Sequence, residues 1–133
     1  MKIGSEEDTK IAVSVCIANY NCSNTLRACL DSVLNQSYEQ TIEIIVHDDA
    51  STDNSIEIIH DEYPQVELIS SKENSGFCIS NNRMAAIAKG EFILLLNNDA
   101  TLREDALSLL YQHAKEKDFD GILTLPQYNI KTG

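Results

Sequence analysis

Apolar and polar positions follow two periods that take turns along the chain. Four runs are dense in β-branched and other apolar residues: Ile11 to Ala18, Ile42 to His47, Val66 to Ser70 and Glu91 to Leu96. Such runs suit strands buried in a parallel sheet. Between them, apolar residues recur three and four apart, the spacing of one helix face. Leu26, Cys29, Leu30, Val33 and Leu34 form the first such set, with Ser23 or Asn24 placed to cap it. Ile56, Ile58 and Ile59 form the second, after the cap-like Ser51-Thr52-Asp53, and Pro64 ends that helix. Met84, Ile87 and Ala88 lead to Gly90, which fits a helix C′ position. Thr101 and Glu104 have capping-box spacing, and Leu102, Ala106, Leu109 and Leu110 continue that helix to about Lys117. Ile122 to Leu125 reads as a fifth strand. The alternation predicts an α/β fold: a mostly parallel sheet with helices on both faces. Phe92 to Leu96 is apolar at both parities, which predicts cover on both faces of that strand.

Composition narrows the picture. The 133 residues fit one domain, with residues 1–10 as a polar tail and 11–133 as the folded unit. No internal repeat, low-complexity segment or linker interrupts it. The net charge of −11 opposes binding to nucleic acid, which depends on Lys and Arg neutralising phosphates. An anionic ligand would need a metal ion or backbone N–H groups to offset the local repulsion. Cys16, Cys22, Cys29 and Cys78 form no C-x-x-C pair, and His47, His60 and His113 show no partner pattern. Zinc is not indicated, and reduced thiols point to a cytoplasmic protein. The opening residues lack the apolar core of a signal peptide, and no apolar run reaches membrane-spanning length.

The candidate chemistry lies where the strands end. In open α/β sheets ligands bind beyond the carboxyl ends of the strands. Asn97-Asn98-Asp99 ends the fourth strand and Asp48-Asp49 the second, so both acidic tips are expected at one crevice. Asp99 can hold a hard cation against a phosphate, since Mg²⁺ needs only one or two carboxylates beside phosphate and water. The same residues also fit an Asx turn before Thr101. Asp48 is placed to accept hydrogen bonds from a nucleobase or ribose, while Asp49 either braces the loop or faces the phosphates. After the first strand, Tyr20 offers a ring for a planar base, and Asn19 and Asn21 offer polar edges. An ordinary strand-to-helix turn has the same composition. Asn74-Ser75-Gly76-Phe77 and Asn81-Asn82 bracket a helix start where Gly permits close backbone approach. There is no G-x-G-x-x-G and no G-K-[ST], so neither a Rossmann dinucleotide site nor a P-loop is supported.

Taken in order, the segments V-S-V-C-I-A-N-Y-N, L-D-S-V-L-N-Q-S-Y, I-E-I-I-V-H-D-D-A-S-T-D-N-S, E-N-S-G-F-C-I-S-N-N and K-G-E-F-I-L-L-L-N-N-D-A resemble the family 2 nucleotide-sugar glycosyltransferases of GT-A fold. The likeness runs from about Ile11 to Leu110 and looks most like the rhamnosyltransferase-like branch. It implies a Rossmann-like sheet and an inverting transfer of sugar from a UDP- or dTDP-linked donor to a glycan or lipid-linked acceptor, in polysaccharide or glycan synthesis. It implies that Ala18, Asn19 and Tyr20 flank the nucleobase, with Ala18 where relatives carry Pro, and that Asp48 contacts the base. Asn97, Asn98 and Asp99 stand at the D-x-D site, with Asn97 in place of the first acid and Asp99 left to hold Mg²⁺ or Mn²⁺. Asn74 and Asn82 are further donor-binding candidates. Asn81 stands where many relatives carry Arg, and Met84 where many carry Gly.

Relatives of this kind continue into an acceptor-binding region with an acidic general base. Asp118 and Asp120 read as loop residues, so the base is not identified, and the resemblance implies a donor-binding fragment whose acceptor half is absent. It also implies work at the inner face of the membrane through regions not present here. Self-association through an incomplete sheet is a further expectation. A noncatalytic nucleotide-binding or assembly module would share the same features. A receiver-type signalling domain would need acids after its first strand and a Lys after a later one. Here the first strand ends Ala18-Asn19-Tyr20 and the fifth ends Leu125-Pro126.

Overall fold

The computed structural model describes residues 10–37 and 41–116. The expected fifth strand, together with Asp118 and Asp120, lies outside those residues. Eight elements alternate along the described residues: β1 (Val13–Asn19), α1 (Ser23–Leu34), β2 (Ile42–Asp49), α2 (Ser55–Glu62), β3 (Glu67–Ser71), α3 (Phe77–Ile87), β4 (Phe92–Asn97) and α4 (Ala106–Glu116). The strands form one parallel sheet in the order β3-β2-β1-β4. The chain lays down β1, β2 and β3 in one direction, then returns to place β4 on the other side of β1. The order therefore reverses between β1 and β4, the switch point at which open α/β sheets leave a crevice.

Side-chain alternation divides the core between the two faces. Val13, Val15 and Ile17 of β1, Ile44 and Val46 of β2 and Leu94 and Leu96 of β4 point one way. They pack against Leu26, Leu30 and Val33 of α1, Ile58 and Ile59 of α2 and Leu107 and Tyr111 of α4. On the opposite face Cys16 and Ile45 meet Met84 of α3. This division follows from right-handed crossovers. Two connections in one direction put α1 and α2 on one face, and the reversal puts α3 on the other.

Cover on both faces of β4 is not what the described residues show. Ile93 and Leu95, on the α3 side, are 46% and 54% exposed. α3 lies over β1 and β2, and a helix about 10 Å across covers roughly two strands spaced about 4.8 Å apart.

Element ends differ from the sequence expectation in three places, and in the first two a distant group takes over the cap. The first-turn Ser23 amide of α1 is capped by Asp53 Oδ2 at 3.0 Å, not by its own Ser or Asn. α4 starts at Ala106 and not at the Thr101 box. The Gln36 side chain at the end of α1 accepts from the Leu107 amide at 2.9 Å and donates to the Arg103 carbonyl. Gly90 is not a left-handed C′ residue. It is needed because a Cβ there would lie 2.5 Å from the Ser14 backbone nitrogen.

Candidate functional site at the strand tips

Asn19, the last residue of β1, ties three strand ends together without reaching solvent. Its Nδ2 donates to Asp48 Oδ1 at 2.9 Å, and its Oδ1 accepts from Asn98 Nδ2 at 2.9 Å. Asp48, also fully buried, further accepts from the Ser51 amide at 2.9 Å and the Ser51 hydroxyl at 2.7 Å. Three of the roughly four acceptor positions of that carboxylate are thus filled from within the chain. Asn21, at φ 50°, accepts from the amides of Thr52 and Asp53 at 2.7 and 3.2 Å. The β1 and β2 loops therefore form one hydrogen-bonded unit. Ala50, at φ 63°, holds a left-handed conformation that costs a non-glycine residue about 1–2 kcal/mol.

Asp49 reaches the other way. Its two carboxylate oxygens accept from the Ser75 and Gly76 amides at 2.7 and 2.8 Å, fixing the loop into α3. Gly76 is at φ 93°, a conformation open to glycine. Burial alone would raise the Asp49 pKa, yet the two amides, with His47 and Arg83 nearby, hold it below the ordinary carboxylate value. Asp53 is lowered in the same manner: burial opposes, but bonds from Ser55 and Ser23 prevail. Of the two roles left open for Asp49, this geometry is the brace.

The β4 tip is a turn closed by the Ala100 amide on the Asn97 carbonyl at 3.1 Å. α1 holds it from below, with Thr25 Oγ1 donating to the Asn98 carbonyl at 3.1 Å and Cys29 Sγ to the Asn97 carbonyl at 3.5 Å. The Cys29 thiol is pushed up to about 12, first by burial and then by the charge of Asp99. Asp99 itself is exposed on this turn. Tyr20, 48% exposed, stands beyond the β1 end, and Ala18 is half-buried one register step below the tip beside Asn97. Asn74 and Asn82 are exposed, one in the β3–α3 loop and one on α3.

The structure thus joins Asn19, Asp48 and Asn98 directly, places Tyr20 and Asp99 at the open rim of the same switch point, and leaves Asn74 and Asn82 on the α3 side. Sequence reasoning missed Ser51 as the residue that fills Asp48, and His47 as a fully buried group beneath α3. The alternation Ile45, His47, Asp49 on one face of β2 was the available signal for the latter. Among the described residues no three His, Cys, Asp or Glu side chains cluster as a metal cage. A cation here would take one protein carboxylate and complete its shell with substrate phosphate and water, which is the donor set Mg²⁺ accepts.

A parallel sheet with a reversal beside β1, and polar tips gathered at that reversal, define an α/β domain of the GT-A kind. The chain belongs to glycosyl transferase family 2, whose model matches residues 14–132. It is 37% identical over 116 residues to a chondroitin synthase of Pasteurella multocida, an alignment covering 84% of this chain and 12% of that enzyme. Across the first relatives matched, this chain spans 12 to 38% of their length. Among solved structures it superposes on S. aureus TarS residues 1–349 in complex with UDP-GlcNAc with a TM-score of 0.76 at 24% identity, covering 88% of this chain and 37% of that one, which establishes the shared fold. It also superposes on the mannosyltransferase PcManGT from Pyrobaculum calidifontis, in complex with GDP-Man and Mn²⁺, with a TM-score of 0.68 at 26% identity, covering 72% and 30%.

Proposed function

We propose that this chain is the donor-binding part of an inverting glycosyltransferase that builds a polysaccharide or glycan from a UDP- or dTDP-linked sugar. The observation that carries the reading is the Asn19 knot. It brings the β1, β2 and β4 tips into one rigid rim at the sheet's switch point, with Tyr20 and Asp99 facing outward from it. In this reading the Tyr20 ring packs on the nucleobase, while Ala18, Asn19 and Asp48 shape the floor beneath it. Asn97 and Asn98 line the sugar-phosphate path, and Asn74 and Asn82 border it from the α3 side.

Asp99 is the residue that would hold Mg²⁺ or Mn²⁺. The Mn²⁺ of the mannosyltransferase complex supports a cation in this fold. Such an ion, when bound, supplies Lewis-acid stabilisation of the leaving diphosphate. The chain's own contribution is positional: α1 pins the Asn97 and Asn98 carbonyls, so the Asp99 carboxylate projects from a turn that is already ordered. Asp48, Asp49 and Asp53 are committed to hydrogen bonds, so none of these three is the general base that deprotonates the glycan or lipid-linked acceptor. No helix among the described residues is long and apolar enough to cross a membrane. We place the chain in the cytoplasm, with contact to the inner membrane face left to other regions, and expect self-association through the open β4 edge.

Amide chemical-shift mapping of the isotope-labelled chain with UDP, dTDP and GDP tests this reading. Shifts gathered at Tyr20, Ser51 and Asn97 to Ala100 are expected with UDP or dTDP. Shifts confined to the opposite ends of the strands, or none with any nucleotide, would overturn it.

A further inference from the structure

Beneath α3, away from the main core, a buried imidazole has a guanidinium for its partner. His47 has no exposed surface and shares its face of β2 with Ile45 and Asp49. Arg83 of α3 approaches it, with Nη1 3.2 Å from His47 Nε2. A guanidinium carries donors only, so Nε2 must be the acceptor. The ring is therefore neutral, with its proton on Nδ1. Nδ1 is buried and makes no hydrogen bond among the described residues.

Two positions further along the strand, Asp49 holds the Ser75 and Gly76 amides. The charged groups bearing on the ring are Asp49 and Asp48 of β2 and Arg83 of α3. Its register neighbours, Ala18 of β1 and Ile69 of β3, are uncharged. Burial disfavours the imidazolium most, Arg83 adds to that, and the two carboxylates oppose it. The outcome is a pKa lowered from the ordinary 6.5.

We propose that His47 and Arg83 form a protonation-sensitive latch that positions the β3–α3 loop. With the ring neutral, Arg83 rests on Nε2, and Asp49 is free to hold Ser75 and Gly76. Uptake of one proton from solvent at Nε2 removes the acceptor and sets two cations face to face. Arg83 withdraws, and the Asp49 carboxylate turns from the two amides toward the new imidazolium. The loop carrying Asn74 is then released. Any bearing on donor binding rests on the reading above, but the latch is a property of the chain without ligand.

The test is an NMR titration of the full chain from pH 8 to 4.5, without nucleotide. At pH 8 the His47 ring should show the Nδ1-protonated tautomer. Its titration midpoint should fall below 6.5, and the Ser75 and Gly76 amides should move with that same midpoint. In His47→Gln, whose side-chain oxygen still accepts from Arg83 but does not titrate, both amides should stay flat over this range. In Arg83→Gln the ring and the amides should share a midpoint shifted upward. Amides that ignore the His47 midpoint, or that keep it in His47→Gln, would overturn the latch. So would an unchanged ring midpoint in Arg83→Gln. A chain that binds no nucleotide would count against the donor reading and leave these outcomes intact.

Discussion

Asn19 carries more of the site than its size implies, because each end of its amide meets a different strand tip. Replacing it with Ala would remove one of the three bonds that Asp48 accepts and the acceptor of the Asn98 amide, and an unmade hydrogen bond at a buried polar group costs about 1–3 kcal/mol. Urea unfolding should show Asn19→Ala destabilised by about 2–4 kcal/mol, while Asn82→Ala, exposed on α3, stays within about 0.5 kcal/mol. Sequence reading located Asn19 at the rim but expected it to serve a ligand. Its partners lie 29 and 79 positions away, so no local pattern could reveal that its hydrogen bonds are taken up inside the chain. Titratable groups give a second prediction at this scale. His47 has a depressed folded pKa, so its stabilising contribution is complete above 6.5 and is lost as pH falls toward the lowered folded value. Asp49 and Asp53 are likewise depressed, and their contribution is complete above 3.8 and lost as pH falls below it. The urea midpoint should therefore decline in two steps on acidification. The upper step should vanish in His47→Gln, and the lower should shrink in Asp49→Asn. A midpoint level from pH 7 down to 4 would contradict the first.

The strands and helices themselves were legible because their signals are local. β-branched runs marked the four observed strands, each within about two residues of its final bounds. Helix starts were not, as α4 shows. The Thr101–Glu104 pattern is genuine, but the Gln36 side chain, 71 positions before Leu107, offers a better-placed cap one turn later. β4 departs for another reason. Period-2 patterning shows that both faces of Phe92 to Leu96 are apolar, yet it cannot show how wide the covering helix is. Among the described residues β4 is an edge strand with Ile93 and Leu95 exposed, a feature that invites pairing with another chain. Like charge opposes this at low ionic strength, since the chain carries −11. Sedimentation velocity should show association that strengthens from about 50 mM to about 500 mM salt as screening shortens the Debye length, and Leu95→Lys should abolish it. A monomer at both salt concentrations would mean that the edge is closed within the chain.

At the scale of the molecule, strand order decides where the crevice lies. β4 lies beside β1, so the sheet reverses where Asn19, Tyr20, Asn98 and Asp99 emerge, and a crevice there follows from topology. The acidic residues were legible in the sequence as strand tips, because they follow apolar runs, but not the internal hydrogen bonds that occupy Asp48 and Asp49. The order β3-β2-β1-β4 was not, because adjacency depends on packing between distant segments. In the proposed reading Asp99 gives the rim its demand for a divalent cation. Asp99 is exposed, so its loss should leave folding almost unchanged, within about 0.5 kcal/mol. Titration calorimetry of UDP against the chain and against Asp99→Ala, with and without Mn²⁺, measures the claim directly. Mn²⁺ is expected to tighten binding to the unmutated chain about tenfold or more, equivalent to at least about 1.4 kcal/mol, and to leave binding to Asp99→Ala unchanged. Equal affinity in all four titrations, or the same Mn²⁺ gain in Asp99→Ala, would contradict it.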